Sequence, residues 1–101
     1  MIYVVATITV KSEHKKEFIE IFKSNVPNVR NEKGCIEYNP TVDYEMGWDA
    51  QITDNNTVVI IEKWESPEAL DAHNKAPHMA EYRKKTTGMV EKVEIRILQD
   101  A

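Results

Sequence analysis

The chain has 101 residues, of which 30% are charged, and its net charge is −4 at pH 7. This length corresponds to one domain, so we treat residues 1–101 as a single unit. The acidic balance argues against a surface that binds the phosphates of nucleic acids. Ile and Val number ten each, whereas Leu and Phe number only two each. This excess of β-branched residues favours a core built on a sheet.

Cysteine content and hydropathy indicate the compartment. The single cysteine, Cys35, excludes an intrachain disulfide and is typical of a reducing environment. The apolar segment 2–10 contains Thr7 and Thr9 and is too short to cross a bilayer. It also lacks the basic start and the cleavage site of a signal peptide. We therefore expect a cytoplasmic protein with no membrane insertion.

The first third of the chain predicts a strand followed by a helix. Residues alternate along 2–10 so that apolar side chains fall on both faces of a strand. Ser12 is the expected N-cap of the next helix, whose apolar stripe comprises Phe18, Phe22, Val26 and Val29. Pro27 should kink the last turns of this helix, and Gly34 should cap its C-terminus.

The middle of the chain predicts further strands. Segment 35–42 has a strand pattern, and Pro40 suggests a sheet edge because proline cannot donate a ladder hydrogen bond. Segment 48–53 is expected to form a short optional strand. It would pair as a hairpin, through residues 54–56, with a longer strand over 57–64.

The last third predicts two short helices and a final strand. Ser66 and the proline after it match an N-cap and a first helical position, and Pro77 should interrupt and restart the helix. Gly88 should end the restarted helix, and 90–98 reads as a strand. The resulting order predicts an α+β fold of the ferredoxin-like, split βαβ type.

Two helices can cover only one face of such a sheet. Tyr3 and Val5 in the first strand, and Val59 and Ile61 in the third, place apolar groups on the other face. A second copy of the chain is the simplest cover, since symmetric dimers are the commonest oligomers. We therefore expect a homodimer.

Searches for common catalytic motifs find no glycine-rich phosphate loop, nucleophile elbow or paired-cysteine site. The remaining candidates lie between residues 62 and 82. His73 shares a helix face with Leu70 and should point toward the sheet, either as a catalytic base or as a hydrogen-bonded core histidine. His78 is a second candidate, with a capping or surface role as its alternative. This histidine spacing does not suit zinc, so no metal is expected.

Trp64 and Glu62 share one face of the third predicted strand. Trp64 is either plain core or the wall of a flat cavity. Glu62 is costly to bury without a partner, so we expect an ion pair with a lysine or arginine, within the chain or across the dimer, with catalysis as the alternative. Three further residues belong to the core and could line a pocket for a planar ligand: Phe22, Met79 and Tyr82.

Several short segments together resemble the antibiotic biosynthesis monooxygenase family, and most of all its quinol-oxidising branch. They are Glu32-Lys33-Gly34-Cys35, Glu62-Lys63-Trp64-Glu65-Ser66, Leu70-Asp71-Ala72-His73 and Pro77-His78-Met79. The resemblance implies a dimeric α+β barrel in which two sheets face each other. It also implies oxidation of a hydroquinone or related phenol by O₂ with no metal, haem or flavin.

The resemblance implies that His73 accepts the proton of the hydroquinone, with His78 as the second candidate for this role. Trp64 would hold the substrate ring, and a small planar aromatic would also contact Phe22, Glu62, Met79 and Tyr82.

Two alternatives from other functional classes stay open. The same scaffold is similar to that of an isomerase of small sugar phosphates, which would need a cationic site made by Arg83, Lys84 and Lys85. The protein could also be a non-catalytic dimeric binding module in which both histidines are structural.

Overall fold

The computed structural model describes residues 1–101 and contains four strands and three α-helices. In chain order they are β1 (Ile2–Val10), a 3₁₀ turn (Ser12–His14), α1 (Lys15–Arg30), β2 (Cys35–Thr41), β3 (Thr57–Trp64), α2 (Pro67–Asn74), α3 (Pro77–Lys85) and β4 (Val90–Leu98). The α+β class is confirmed. None of the helices combines the length and the hydropathy of a membrane-spanning segment.

The strands form one antiparallel sheet in the order β2-β3-β1-β4. This order confirms the ferredoxin-like topology. In the register, Val4 pairs with Glu62 on one side and with Ile97 on the other. β2 is an edge strand, as its Pro40 predicts, because the ring nitrogen there has no ladder hydrogen bond to donate.

The core lies between the sheet and the helices. The predicted stripe of α1 is buried, and it faces the buried residues of β1: Val4, Ala6, Ile8 and Val10. The intervening residues Tyr3 and Val5 lie on the opposite face of the sheet and are half-buried. Ile61 on the same opposite face is exposed. This opposite face is called the outer sheet face below.

The predicted short strand at 48–53 does not form. Residues 42–56 are a loop between β2 and β3, called the β2–β3 loop below. The Gln51 side chain accepts a hydrogen bond from the Met46 amide at 2.9 Å and donates to the Tyr44 carbonyl at 2.7 Å. β3 pairs with β2 on one side and with β1 on the other, so it has no free edge for a hairpin with residues 48–53.

The two ends of α1 also differ from expectation. Ser12 is not the N-cap, because it lies in the 3₁₀ turn and α1 begins only at Lys15. The helix continues through Pro27 to Arg30, and its C-cap is Asn31, whose amide donates to the Pro27 carbonyl.

Gly34 lies in the turn that leads into β2, three residues after the C-cap of α1. Its φ is +86°, and a Cβ atom there would be 2.6 Å from the Cβ of Ala69 in α2. Backbone conformation and close approach therefore both require glycine. At the start of α2, Ser66 is the N-cap as predicted, since its Oγ accepts a hydrogen bond from the Ala69 amide at 3.1 Å.

Candidate active site

A cavity of about 820 Å³ lies between the sheet and the helices α1, α2 and α3. Of the 23 residues that line it, 14 are hydrophobic. Its open side runs along β4, where Val93, Ile95 and Ile97 line the cavity yet remain exposed. Five residues singled out from the sequence meet in this cavity: Phe22, Glu62, His73, Met79 and Tyr82. Trp64 and His78 do not line it.

Three aromatic rings form one wall of the cavity. Phe22 stacks on Tyr38 with ring centroids 5.5 Å apart and an interplanar angle of 12°. Tyr82 meets Phe22 edge-on, with centroids 5.4 Å apart. Burial raises the pKa of both tyrosine hydroxyls above the ordinary value, so both are neutral at physiological pH. A planar apolar ring fits this wall.

Glu62 is a buried carboxylate at the cavity, only 7% exposed. The predicted ion pair with lysine or arginine does not form within the chain. Oε1 instead accepts a hydrogen bond from Trp64 Nε1 at 3.0 Å, because residues two apart on a strand share a face. Burial raises the pKa of Glu62 to about 7, and the negative charge of Glu32 adds to this, while the Trp64 hydrogen bond opposes it. Glu62 Oε2 makes no hydrogen bond within the chain.

Trp64 is fully buried behind the cavity rather than at its wall. Its indole ring lies against the His73 ring, with centroids 4.6 Å apart and planes inclined by 35°. Through this contact and the hydrogen bond to Glu62, Trp64 positions two side chains that do reach the cavity.

His73 projects from α2 and is 5% exposed. Its Nδ1 lies 2.8 Å from Oε2 of Glu32, and its ring packs edge-on against Tyr38 at 5.4 Å. Nε2 makes no hydrogen bond within the chain. Burial lowers the pKa of His73, and the hydrogen bond and charge of Glu32 oppose that effect. The result is an oriented imidazole that lines an apolar cavity.

Glu32 joins the two histidines. Its Oε2 also lies 3.2 Å from His78 Nε2, although the geometry does not satisfy a hydrogen bond. Asn28 donates to Asn25 Oδ1 at 3.0 Å, which directs Asn25 Nδ2 toward His78 Nδ1 at 3.1 Å. Because Nδ1 accepts this bond, we assign the proton of neutral His78 to Nε2, facing Glu32.

His78 lines a second, smaller pocket of about 230 Å³. Polar side chains of α1 and α3 surround it: Ser24, Asn25, Asn28, Glu81 and Lys85. The three side chains of His73, Glu32 and His78 therefore connect the apolar cavity with this polar pocket. No cluster of three or more His, Cys, Asp and Glu side chains has the arrangement of a metal site.

Sequence reasoning missed Glu32 and Tyr38 as members of the site. Tyr38 had a usable signal. The strand period of two places it with Ile36 and Pro40 on the apolar face of β2, opposite the polar Glu37 and Asn39. Glu32 lies in the turn between α1 and β2, where no periodicity gives a direction, so its signal was its place in one of the segments that carry the family resemblance.

Comparisons with known proteins agree with this architecture. A family model described as antibiotic biosynthesis monooxygenase matches residues 1–85. The Escherichia coli (strain K12) protein named "Probable quinol monooxygenase YgiN" is 38% identical over 101 residues, which cover 98% of this chain and 97% of that protein.

Two crystal structures share the fold over nearly the whole chain. A conserved protein from Methanosarcina mazei Go1 is 27% identical with a TM-score of 0.85, covering 99% of this chain and 92% of that one. A Pseudomonas aeruginosa protein is 23% identical with a TM-score of 0.83, and the match covers 99% of this chain and 93% of that one. The match of the family model over most of the chain, together with the full-length relative, shows that this chain belongs to the antibiotic biosynthesis monooxygenase family.

Proposed function

We propose that the protein is an oxidoreductase that oxidises a quinol or related phenol with O₂ and requires no cofactor. Membership of the family supports oxygen chemistry, and the relative named as a quinol monooxygenase supports the substrate class. The observation that carries the proposal is His73. One nitrogen of this ring is bonded to Glu32, while the other has no partner in the chain and the ring lines an aromatic cavity.

The substrate ring lies along Phe22 and Tyr82, and Met79 closes the adjacent wall. Glu62 Oε2 contacts one substrate oxygen. Because the pKa of Glu62 is about 7, this carboxyl can either donate a hydrogen bond to a substrate oxygen or accept one from a hydroxyl near neutral pH.

His73 Nε2 accepts the proton of the other substrate hydroxyl. Glu32 holds the proton on Nδ1 and stabilises the imidazolium that forms, as the acid does in other histidine–carboxylate pairs. The phenolate is then electron-rich enough to reduce O₂. If one oxygen atom is retained, hydroquinone and O₂ give a hydroxyquinone and water; without retention they give the quinone and hydrogen peroxide.

His78 has a second role in this scheme, as a support for Glu32. The Nε2–H of neutral His78 faces Glu32 Oε2 across 3.2 Å and stabilises the carboxylate that orients His73. Loss of His78 should therefore slow turnover less than loss of His73.

The test is His73→Ala, compared with wild type in aerobic oxygen uptake with menadiol. A positioned base contributes about 10²- to 10⁴-fold, so kcat/KM should fall by that factor while the far-UV circular dichroism is unchanged. The third histidine supplies a matched control, because His14 lies outside both pockets. His14→Ala should keep full activity. A folded His73→Ala protein with wild-type kcat/KM would remove His73 from the mechanism.

Two observations weigh against the phosphate-isomerase alternative. Of the three cations it needs, only Arg83 lines the large cavity. Its guanidinium already donates hydrogen bonds to the Asn74 carbonyl at 3.1 Å and to Asn74 Oδ1 at 2.6 Å.

Turnover of menadiol with labelled ¹⁸O₂ separates the three remaining functions, which are oxidase, monooxygenase and binding module. Oxygen consumption supports the oxidase, label in the product supports monooxygenation, and no turnover of any quinol supports a binding module.

A further inference from the structure

The large cavity has more room than a bare quinol fills. Its volume is about 820 Å³, near the upper end of the roughly 300–1,000 Å³ found for sites of drug-sized ligands. A two-ring quinol held by Glu62 and His73 leaves much of this volume empty. Unfilled apolar space forfeits dispersion contacts, because the atoms that line it face no partner. The cavity therefore fits a substrate that extends beyond its aromatic rings.

The helix side of the sheet forms the floor of this cavity, in rows that cross β3, β1 and β4. Register partners on neighbouring strands share a face of the sheet. Six lining residues belong to two such rows: Glu62, Val4 and Ile97 in one, and Ile60, Ala6 and Ile95 in the next. Glu62 is the only polar side chain among them. A substrate oxygen therefore has one partner on this floor, at β3, and the rest of both rows is aliphatic.

Ala6 makes a depression in the floor. Its register partners across the sheet are Ile60 and Ile95, and its neighbours on the same face of β1 are Val4 and Ile8. All four neighbours have branched side chains, so the methyl group of Ala6 lies lower than its surroundings. Ala6 lines the cavity. The depression is one strand closer to β4 than the Glu62 carboxyl.

The aliphatic path continues from Ala6 to the open side of the cavity. Neighbouring strands lie about 4.8 Å apart, so β4 is roughly 10 Å from the backbone of Glu62. Ile95 and Ile97 line the cavity at this end and are 59% and 61% exposed. A hydrocarbon chain laid along the path would meet only carbon atoms of the floor side chains. It would also cover two exposed isoleucines.

We infer that the substrate is a quinol with an aliphatic side chain, of alkyl or alkenyl type, and that Ala6 admits this chain. The substrate oxygens lie at Glu62 and His73, the ring lies along Phe22, and the chain runs over Ala6 to Ile95. Burial of apolar carbon recognises the chain, so its length determines affinity. This inference rests on the function proposed above and specifies its substrate class.

The first experiment measures binding without turnover, by calorimetry under argon. The ligands are menadiol and derivatives with an alkyl chain on the free carbon of the quinol ring, from ethyl to hexyl. Each buried methylene should lower the Kd about three- to fourfold. The gain should level off beyond about four methylenes, which span the ~4.8 Å between β1 and β4. A Kd that does not depend on chain length would overturn the inference.

The second experiment locates the chain with variants that keep the wild-type far-UV circular dichroism. Ala6→Leu fills the depression, so the affinity advantage of the hexyl derivative over menadiol should fall at least tenfold. Ala80→Leu is the matched control, because Ala80 is exposed on α3 and lies outside both pockets. This control should keep the full advantage.

Ile95→Ala tests the other end of the path and decides the question if Ala6→Leu does not fold. It shortens the apolar contact without filling space, so the advantage of the hexyl derivative should fall at least threefold. Ile36→Ala, at an exposed position on β2 outside the cavity, is its control and should change nothing. An unchanged advantage in folded Ala6→Leu or in Ile95→Ala would refute the position of the chain.

Oxygen uptake with the same ligands separates this inference from the proposed reaction. If wild type oxidises menadiol but its Kd values do not vary with chain length, the side chain is refuted and the reaction stands. If the Kd falls with chain length in wild type and this trend is lost in Ala6→Leu, the chain site is supported. In that case, an absence of oxygen uptake with every quinol would refute the reaction alone.

Discussion

The protonation of Glu62 should be visible in the stability of the protein. Glu62→Gln keeps an oxygen that can accept the Trp64 Nε1 hydrogen bond and removes the carboxyl that titrates. Burial raises the pKa of this carboxyl from 4.5 to about 7. One pKa unit equals about 1.4 kcal/mol, so the shift corresponds to about 3.5 kcal/mol of folding free energy.

The sign of the effect follows from the direction of the shift. The folded pKa lies above the unfolded one, so between these two values the folded protein binds more protons. The contribution of Glu62 to the free energy of unfolding is therefore complete below the unfolded-state pKa. It is lost as pH rises through the folded-state pKa. Between about pH 5 and about pH 8, the free energy of unfolding of wild type should fall by roughly 2 to 3 kcal/mol relative to that of Glu62→Gln.

The assay is urea denaturation of both proteins at these two pH values, followed by far-UV circular dichroism. Burial lowers the pKa of His73, so the contribution of His73 to the free energy of unfolding is lost as pH falls. Both proteins contain His73, so this effect cancels in the difference between their unfolding free energies. Glu91→Gln, at an exposed position on β4, is the matched control and should follow wild type. Parallel stability curves for wild type and Glu62→Gln would refute the claim that burial keeps this carboxyl protonated.

Other predictions concern the glycine turn, the helix cap and the cofactor requirement. Gly34→Ala should destabilise the fold by about 2 to 4 kcal/mol, because backbone strain adds to the clash with Ala69. Gly47 also has a positive φ but lies in open space, so Gly47→Ala should lose only the stability that backbone strain costs. Equal losses of unfolding free energy in the two variants would contradict the clash with Ala69. Ser66→Ala should cost about 1 kcal/mol in urea denaturation, whereas Ser12→Ala should cost much less, since Ser12 caps no helix. Quinol oxidation should survive incubation with EDTA; loss of turnover that one added metal restores would contradict cofactor independence.

Elements whose signals are local in the chain could be predicted from the sequence. The alternation in β1 and β3, the stripe of α1, and the Ser66 cap are set by residues within a few positions of each other. The order of these elements along the chain then predicted the split βαβ fold type. The predicted short strand at 48–53 was wrong because its apolar residues suit a strand but its intended partner, β3, is paired on both sides by β2 and β1, which no local pattern shows.

The candidate site shows where sequence reasoning stops. The sequence identified the residue types and the helix face of His73, because side chains three or four apart share a face. Only the tertiary structure brought Glu32 within 2.8 Å of His73, across 41 positions of the chain. It also replaced the expected cation beside Glu62 with the Trp64 indole, and it moved Trp64 and His78 out of the cavity. Partners of buried polar groups are chosen by packing in three dimensions, and that information lies in no local pattern.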